Sequence, residues 1–314
     1  MRFSSGLAAL SVVALLASGC SAFSDGADDG KTTVAAAFYP LAYVAERVAE
    51  GTDTEVDLLT HPGSEPHDLE LDVSQTATVV AADLVVFESG FQPAVDDTVE
   101  QNAEGATLDA ADIVDLLPVD ESAAEHEEHA DEEGGEHDHD HGDVDPHFWQ
   151  DPLRMADLGD AMADELAKID GDDAKTYRSN AAALRKDLEA LDQAYSAGLA
   201  DCERDTIVVS HDAFGYLEKY GLHIASIVGL SPDAEPTGAV LGELQELIRT
   251  EGITTVFSEP LEPALGEDLA TDLDLTNGVL DPIEGLTADA PKGSDYLSLM
   301  DTNLETLVSA NGCR

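Results

Sequence analysis

The chain is poor in positive charge and in aromatic residues. It has 14 Lys and Arg against 67 Asp and Glu, a formal net charge of −53, and aromatic residues make up 5% of it. This negative charge argues against nucleic acid and anionic membrane surfaces as partners, because both would repel the chain. The sequence also lacks a P-loop and an HExxH motif, so it gives no sign of ATP hydrolysis or of that metalloprotease class.

Long apolar runs are absent too, except for one near the start. The run from Gly6 to Ala17 is too short for a comfortable membrane span, so residues 1–20 are predicted to be an export signal. The segment from Ala17 to Cys20 resembles a bacterial lipobox, which predicts a lipid on Cys20 and an extracytoplasmic, membrane-anchored protein. Ordinary secretion with a free Cys20 is the alternative. Residues 21–31 read as a flexible tether.

Cysteine is also scarce, with three residues in the chain. If Cys20 carries lipid, Cys202 and Cys313 remain as an even pair in an oxidising compartment. We therefore predict a disulfide between them, which closes a loop worth about 4–5 kcal/mol in the chain-entropy model. Two buried free thiols are the alternative.

The remaining chain alternates apolar strands with helical segments. This rhythm predicts an α/β fold of two βα domains with mainly parallel sheets. We expect an N-terminal domain over 32–151, a helical connector over 152–200 and a C-terminal domain over 201–314. Apolar residues of the connector recur at three- and four-residue steps, so its second segment is predicted to be one helix of roughly 40 Å. The recurring residues are Leu184, Leu188, Leu191, Tyr195 and Leu199.

Residues 120–146 interrupt the rhythm with an acidic stretch that has no apolar periodicity. It reads as a long solvated loop, and its histidines are candidates for weak, auxiliary metal binding. They are His126, His129, His137, His139 and His141. An acidic insert with incidental histidines is the alternative.

Other histidines follow predicted strands at wide intervals. His67 and His211 come just after strands, His147 lies in DPHFWQDP, and Asp281 ends GVLD. Ligands in open α/β sheets gather at the carboxyl ends of strands, and three imidazoles with one carboxylate suit zinc. Each residue has a plainer interpretation, since most loop histidines are surface groups and an Asp before proline forms turns.

Seven segments, taken together and in order, carry a family resemblance. They are FYPLAYVAERVAEG, HPGSEPHDLELDVSQ, DPHFWQDPLRMADL, VVSHDAFGYLEKYGL, GLSPDAEPT, VFSEP and GVLDPIEGL. The chain resembles the metal-binding lipoproteins of bacterial zinc and manganese ABC importers, in the zinc subgroup. The resemblance covers essentially the whole chain after the signal.

The resemblance implies two βα domains, a rigid connecting helix and one metal between the domains. It assigns His67, His147 and His211 as ligands, with Asp281 at the position where manganese members use a carboxylate. Some zinc members have Glu directly before the first histidine, where this chain has Pro66 with Glu65 nearby. Two further family positions, Glu235 and Glu259, are expected to support the site without coordinating the metal.

The function expected from this resemblance is extracytoplasmic zinc capture and delivery to an ABC importer permease, by a monomer that is not an enzyme. Zn²⁺ would be its cargo, because three histidines suit zinc better than manganese. The alternatives are a manganese importer component of the same architecture and a secreted zinc hydrolase with Glu259 or Asp281 as base. An adhesion role is neither supported nor excluded.

Overall fold

The computed structural model describes residues 31–119 and 144–314. The first of these segments alternates short strands with helices. Its elements are β1 (Thr33–Ala36), α1 (Tyr39–Ala49), β2 (Glu55–Leu58), α2 (Val73–Ala81), β3 (Leu84–Phe87), α3 (Pro93–Asn102), β4 (Ala106–Asp109), α4 (Ala110–Ile113) and β5 (Leu117–Pro118).

The second segment begins with a short strand and continues through two long helices into a second βα series. Its elements are β6 (Val144–Asp145), a 3-10 turn (Phe148–Gln150), α5 (Pro152–Ile169), α6 (Ala174–Gly198), β7 (Thr206–Val209), a 3-10 helix (Gly215–Tyr220), β8 (His223–Ser226), α7 (Gly238–Glu251), β9 (Thr255–Ser258), α8 (Ala264–Asp272), β10 (Thr276–Val279) and α9 (Tyr296–Asn311).

Two four-stranded parallel sheets confirm the predicted fold class. One has the order β2-β1-β3-β4 and the other β10-β9-β7-β8, while β5 and β6 form a small antiparallel pair. The central strands β1, β3 and β7 are buried and apolar, as expected of parallel strands covered by helices on both faces. In each sheet the chain order reverses between the two central strands, and such a switch point opens a crevice at the carboxyl ends.

Two parts of the chain depart from the sequence prediction. The sequence pattern predicts no strand at Ala106–Asp109, where β4 is short and only one of its four residues is buried. The sequence pattern predicts a helix over Ala213–Tyr220, whereas the structure has a 3-10 helix that begins only at Gly215. The reason lies upstream, where the backbone N–H of His211 donates to Glu259 and that of Asp212 donates to the carbonyl of Gly229.

Helix α6 contacts both βα halves of the fold, one near each of its ends. The hydroxyls of Tyr177 and Thr54 lie 2.8 Å apart, and the hydroxyl of Tyr195 donates to the carbonyl of Met300 at 2.7 Å. The apolar face predicted from the sequence is buried. The 25 residues of helix α6 correspond to a length of about 37 Å. In the part of the chain described here, no helix is both long and apolar enough to cross a membrane.

The predicted disulfide between Cys202 and Cys313 is confirmed, with a sequence separation of 111. It joins the segment after α6 to the end of α9. Backbone bonds from Glu203 and Arg204 to the carbonyl of Asn311 reinforce the same junction. The covalent link therefore closes the whole second βα series into one loop.

We predict that the double variant Cys202→Ala/Cys313→Ala has a free energy of unfolding lower by about 2–5 kcal/mol, because its unfolded chain gains conformational entropy. Urea denaturation followed by circular dichroism measures the change. The parent chain should fall to the same stability in reductant. Equal unfolding midpoints for the oxidised parent and the variant would contradict the prediction.

Candidate metal centre

Three histidines and one glutamate converge between the two sheets. Oε1 of Glu284 lies 3.0 Å from Nε2 of His211, 3.3 Å from Nε2 of His147 and 3.6 Å from Nε2 of His67. One ligand atom from each of the four residues lies within 4.8 Å of every other. Three imidazole nitrogens and a carboxylate oxygen at these separations match the donor set of a tetrahedral metal site.

The histidines reach this point from strand ends. His211 follows β7, beside the switch point of its sheet, and His67 lies in the long loop after β2. That loop is held by Gln92, whose side-chain amide donates to the carbonyl of Pro66 at 2.8 Å. His147 lies between β6 and the 3-10 turn that begins at Phe148. Two of the three histidines, His67 and His211, thus come from parallel strands that end at one cleft, while His147 follows the antiparallel strand β6.

Two further carboxylates hold the histidine rings from behind. Oδ1 of Asp145 is 2.8 Å from Nδ1 of His147 and also accepts the backbone N–H of that residue. Oε1 of Glu259, just after β9, bonds to His211 in the same two ways, with a ring contact of 2.7 Å. These bonds orient each ring and leave Nε2 facing the cluster, as outer carboxylates do for metal-binding histidines.

A strained turn presents Glu284. The residue before it, Ile283, is fully buried and has a φ of +61°, a left-handed conformation that β-branched residues rarely adopt. The carbonyl of Pro282 accepts bonds from the side chains of Trp149 and Gln150 at 2.8 and 2.5 Å. Since Trp149 and Gln150 closely follow His147, the same segment places one histidine and fixes the turn that carries the carboxylate.

Asp281, which the family resemblance placed at the carboxylate position, does not belong to the cluster. Its Oδ1 accepts the backbone N–H of Ile283 at 2.8 Å, and its own backbone is bonded on both sides by Asn303. Asp281 therefore forms the turn, which was its alternative interpretation, and Glu284 occupies the expected place. The motif DPIEG offered both acids, but the sequence does not reveal the positive φ between them.

The four residues are at most 3% exposed, so their charges depend on one another. Burial lowers the pKa of His67. Burial acts in the same direction on His147 and His211, but the carboxylates beside them outweigh it, and their pKa values rise, that of His211 well above its usual range. Burial opposes the charged form of Glu284, yet the surrounding imidazoles hold the pKa of this carboxyl well below normal.

Aromatic rings enclose one side of the cluster. The ring centroid of Phe91 is 4.7 Å from that of His67, and the centroid of Trp149 is 5.2 Å from that of His147. These rings exclude water and lower the local dielectric constant, which strengthens the electrostatic interactions within the cluster.

The other residues singled out from the sequence lie elsewhere. Glu235 is exposed and lies outside the cluster. The lipidation candidate Cys20 and the five acidic-loop histidines fall outside the described residues. A second group of carboxylates, from Glu65, Asp68 and Asp233, meets within 4.8 Å. Burial and the neighbouring Glu284 raise the pKa of Glu65 to about 9.

Glu88 is a buried acid that sequence reasoning missed. It follows β3, is 2% exposed, and neither carboxyl oxygen has a hydrogen-bond partner within residues 31–119 and 144–314. Burial and the nearby Asp145 raise its pKa well above the usual 4.5. Above that ordinary value the unfolded chain loses the proton that the folded protein retains, so the contribution of Glu88 to stability falls as pH rises.

We predict that Glu88→Gln gains stability relative to the parent as pH rises from about 5 to about 8, because the variant has no proton to retain. Denaturation midpoints at the two pH values measure the gain. Glu104→Gln, an exposed control, should show no such trend. A constant difference between Glu88→Gln and the parent at both pH values would contradict the assignment of a neutral Glu88.

The fold has two parallel β-sheets covered by helices, with a buried cluster of three histidines and a glutamate between them. These features place the chain in the class of metal-binding α/β proteins. A family model, described as Zinc-uptake complex component A periplasmic (ZnuA), matches residues 34–310. The chain belongs to this family.

Individual relatives agree. The chain is 36% identical to the zinc-binding lipoprotein AdcA of Streptococcus pneumoniae serotype 4 over 89% of its own length and 56% of that protein, so it spans about half of this relative. It is 30% identical to the high-affinity zinc uptake system protein ZnuA of Bacillus subtilis (strain 168), covering 96% of both chains. The crystal structure of the Zn(II)-bound ZnuA-like domain of Streptococcus pneumoniae AdcA superposes with a TM-score of 0.72 at 33% identity, covering 90% of this chain and 99% of that one.

Proposed function

We propose that the protein captures Zn²⁺ outside the cytoplasm and delivers it to the membrane permease of an ABC importer. The observation that carries this proposal is the approach of one Glu284 oxygen to the Nε2 atoms of His67, His147 and His211. Three nitrogen donors and one oxygen donor favour zinc over manganese, which prefers more oxygen ligands. The names of the family and of its relatives support the same cargo.

Burial of the cluster supports a binding role over catalysis. A catalytic zinc keeps a coordination position open for water or substrate, whereas structural sites use four protein ligands. Here the four candidate ligands are at most 3% exposed. A peptide or ester substrate would have no path to an ion held there unless the protein opened, so we propose that the protein is not a hydrolase.

We also propose that Cys20 carries a lipid anchor, that the protein works as a monomer, and that the histidines of 120–146 are auxiliary metal ligands. We further propose that the chain divides into an N-terminal domain over 32–151, a helical connector over 152–200 and a C-terminal domain over 201–314. Support comes from the lipobox-like segment, from the composition of the acidic stretch and from the lipoprotein name of the relative. Mass spectrometry of the membrane-extracted protein tests the anchor.

The experiment that tests the function is a chelator-competed titration with Zn²⁺ and Mn²⁺, using a chain that starts at Ser21 and lacks residues 121–143. We expect one tight zinc site that outcompetes manganese. His211→Ala should abolish it, since this variant removes a nitrogen donor and the ring that Glu259 holds in place. Manganese preference would change the cargo, and the absence of a tight site would place the ligands in the deleted segment.

A matched pair of variants identifies the carboxylate ligand. We predict that Glu284→Gln weakens zinc binding at least about tenfold, because the amide oxygen is a neutral donor, while Asp281→Asn changes it less. Both variants remove one negative charge from the same turn, so a general electrostatic effect would lower the zinc affinity of both by the same amount. The same titration measures both. A larger loss in Asp281→Asn would restore the original assignment of the ligand.

Zinc binding should also release protons at neutral pH. Carboxylates raise the pKa of His147 and His211 and so favour the protonated rings, with which a metal must compete, and affinity should fall as pH decreases. Calorimetry at about pH 7 in buffers of different ionisation enthalpy counts the released protons. We expect about one or more for each zinc ion. An affinity that is the same at about pH 5 and about pH 7 would exclude histidine ligation.

A further inference from the structure

A cavity lies behind the metal cluster, on the far side of Asp145. It has a volume of about 420 Å³ and is bounded by the ends of β5 and β6, the 3-10 helix at Gly215, strand β8 and helix α7. Cavities that bind small ligands typically enclose about 300–1,000 Å³. This one is therefore large enough for a side chain or a small organic molecule.

The lining of this cavity combines an apolar surface with carboxylates. Ile224, Leu244 and Leu247 are among its apolar residues. Its acids come from four different places in the chain, and no Lys or Arg is among the described lining residues. The acids are Asp145, Asp212, Glu218 and Glu243. An apolar wall beside several carboxylates is complementary to a cation carried on a hydrocarbon stem.

A bare metal ion fits this cavity poorly. Among the described residues, two groups of His, Cys, Asp and Glu side chains bring their ligand atoms within 4.8 Å of one another, and none of the four cavity acids belongs to either. The carboxylates are thus too dispersed for three of them to hold one ion. An extended cation, which spreads its N–H donors over several acceptors, suits them better.

Asp145 connects the cavity to the metal cluster. Its Oδ1 is occupied by the backbone and the ring of His147, at 2.9 and 2.8 Å. Its Oδ2 approaches Gly215, where a Cβ atom would lie only 2.7 Å away. Glycine at 215 therefore leaves room for this carboxylate beside the cavity wall. Asp212, which directly follows His211, lines the same cavity.

We propose that this cavity binds an alkylguanidinium or alkylammonium group, with the stem on the apolar wall and the cation among Asp145, Asp212 and Glu243. A cation beside Oδ2 of Asp145 draws negative charge away from Oδ1, which weakens the bond that orients His147. Occupancy therefore lowers metal affinity at the neighbouring cluster, and this coupling rests on the proposed function. Reciprocally, a bound metal ion lowers the affinity of the cavity for the organic cation by the same factor.

The binding test uses the zinc-free chain that retains residues 120–143, in about 0.15 M NaCl to screen its surface charge. The probes are n-butylguanidinium and N-acetyl-arginine methylamide, followed by NMR. N-acetyl-citrulline methylamide is the neutral control of nearly the same shape. We expect saturable shifts at the cavity residues for both cations and none for citrulline. Tighter binding of the capped arginine indicates a basic side chain of a partner protein as the natural ligand, and the reverse order indicates a free small molecule.

Matched variants locate the site. Glu243→Gln should weaken cation binding several-fold, while Glu251→Gln, the same change at a position of the same helix that does not line the cavity, should not. Ala225→Leu fills the cavity from β8 and should abolish binding, with circular dichroism confirming its fold. Equal binding of citrulline, or cation binding that is unchanged in both Glu243→Gln and Ala225→Leu, would overturn the proposal.

The coupling has its own measurement. At saturating n-butylguanidinium, we expect the zinc affinity of the parent chain to fall by up to about tenfold, the range of changes made behind a metal ligand. The zinc affinity of Ala225→Leu should not respond to the probe. An unchanged affinity in the parent would overturn the coupling. Because cation binding is measured without metal, it is judged separately from the proposed zinc function.

Discussion

The geometry of the site depends on one buried carboxylate surrounded by three imidazoles. Removing a charge from water is costly unless partners compensate for it, and Glu284 has its compensation in His67, His147 and His211. Asp145 and Glu259 provide the next layer of charge and fix two of the rings. A metal ion would replace the protons of this network, because the same atoms that share protons are the ones available to an ion.

The fold supplies these groups from both sheets and then restricts their movement. Histidines enter from the carboxyl ends of strands, while the turn before Glu284 is bonded to the segment after His147. Helix α6 is bonded to both halves, and one apolar core includes residues from both sheets. A wide hinge motion would have to expose that core. Loading and release of an ion are therefore more easily explained by local movement of loops around the cluster than by separation of the sheets.

Much of this arrangement could be predicted from sequence because it depends on local patterns. Apolar strands, helix starts such as Asp151 before Pro152 and histidines after strands are all visible in the chain. Which acid joins the cluster, Asp281 or Glu284, could not be predicted from the sequence. The answer depends on the positive φ of Ile283 and on hydrogen bonds from residues distant in sequence. Glu88 was missed for a related reason, since its position after an apolar strand does not reveal that its carboxyl oxygens are buried without hydrogen-bond partners in the described part of the chain.

The acidic composition and the buried cluster make different contributions to metal binding under the proposed function. A net charge of −53 attracts cations of every kind and raises their local concentration, but salt screens this effect. It cannot distinguish zinc from the far more abundant hard cations, which prefer oxygen ligands. Discrimination between zinc and these cations must come from the three nitrogen donors. These donors are buried, so salt screens their interactions much less than those of the surface charges. The surface therefore affects mainly how fast an ion arrives, and the cluster decides which ion stays.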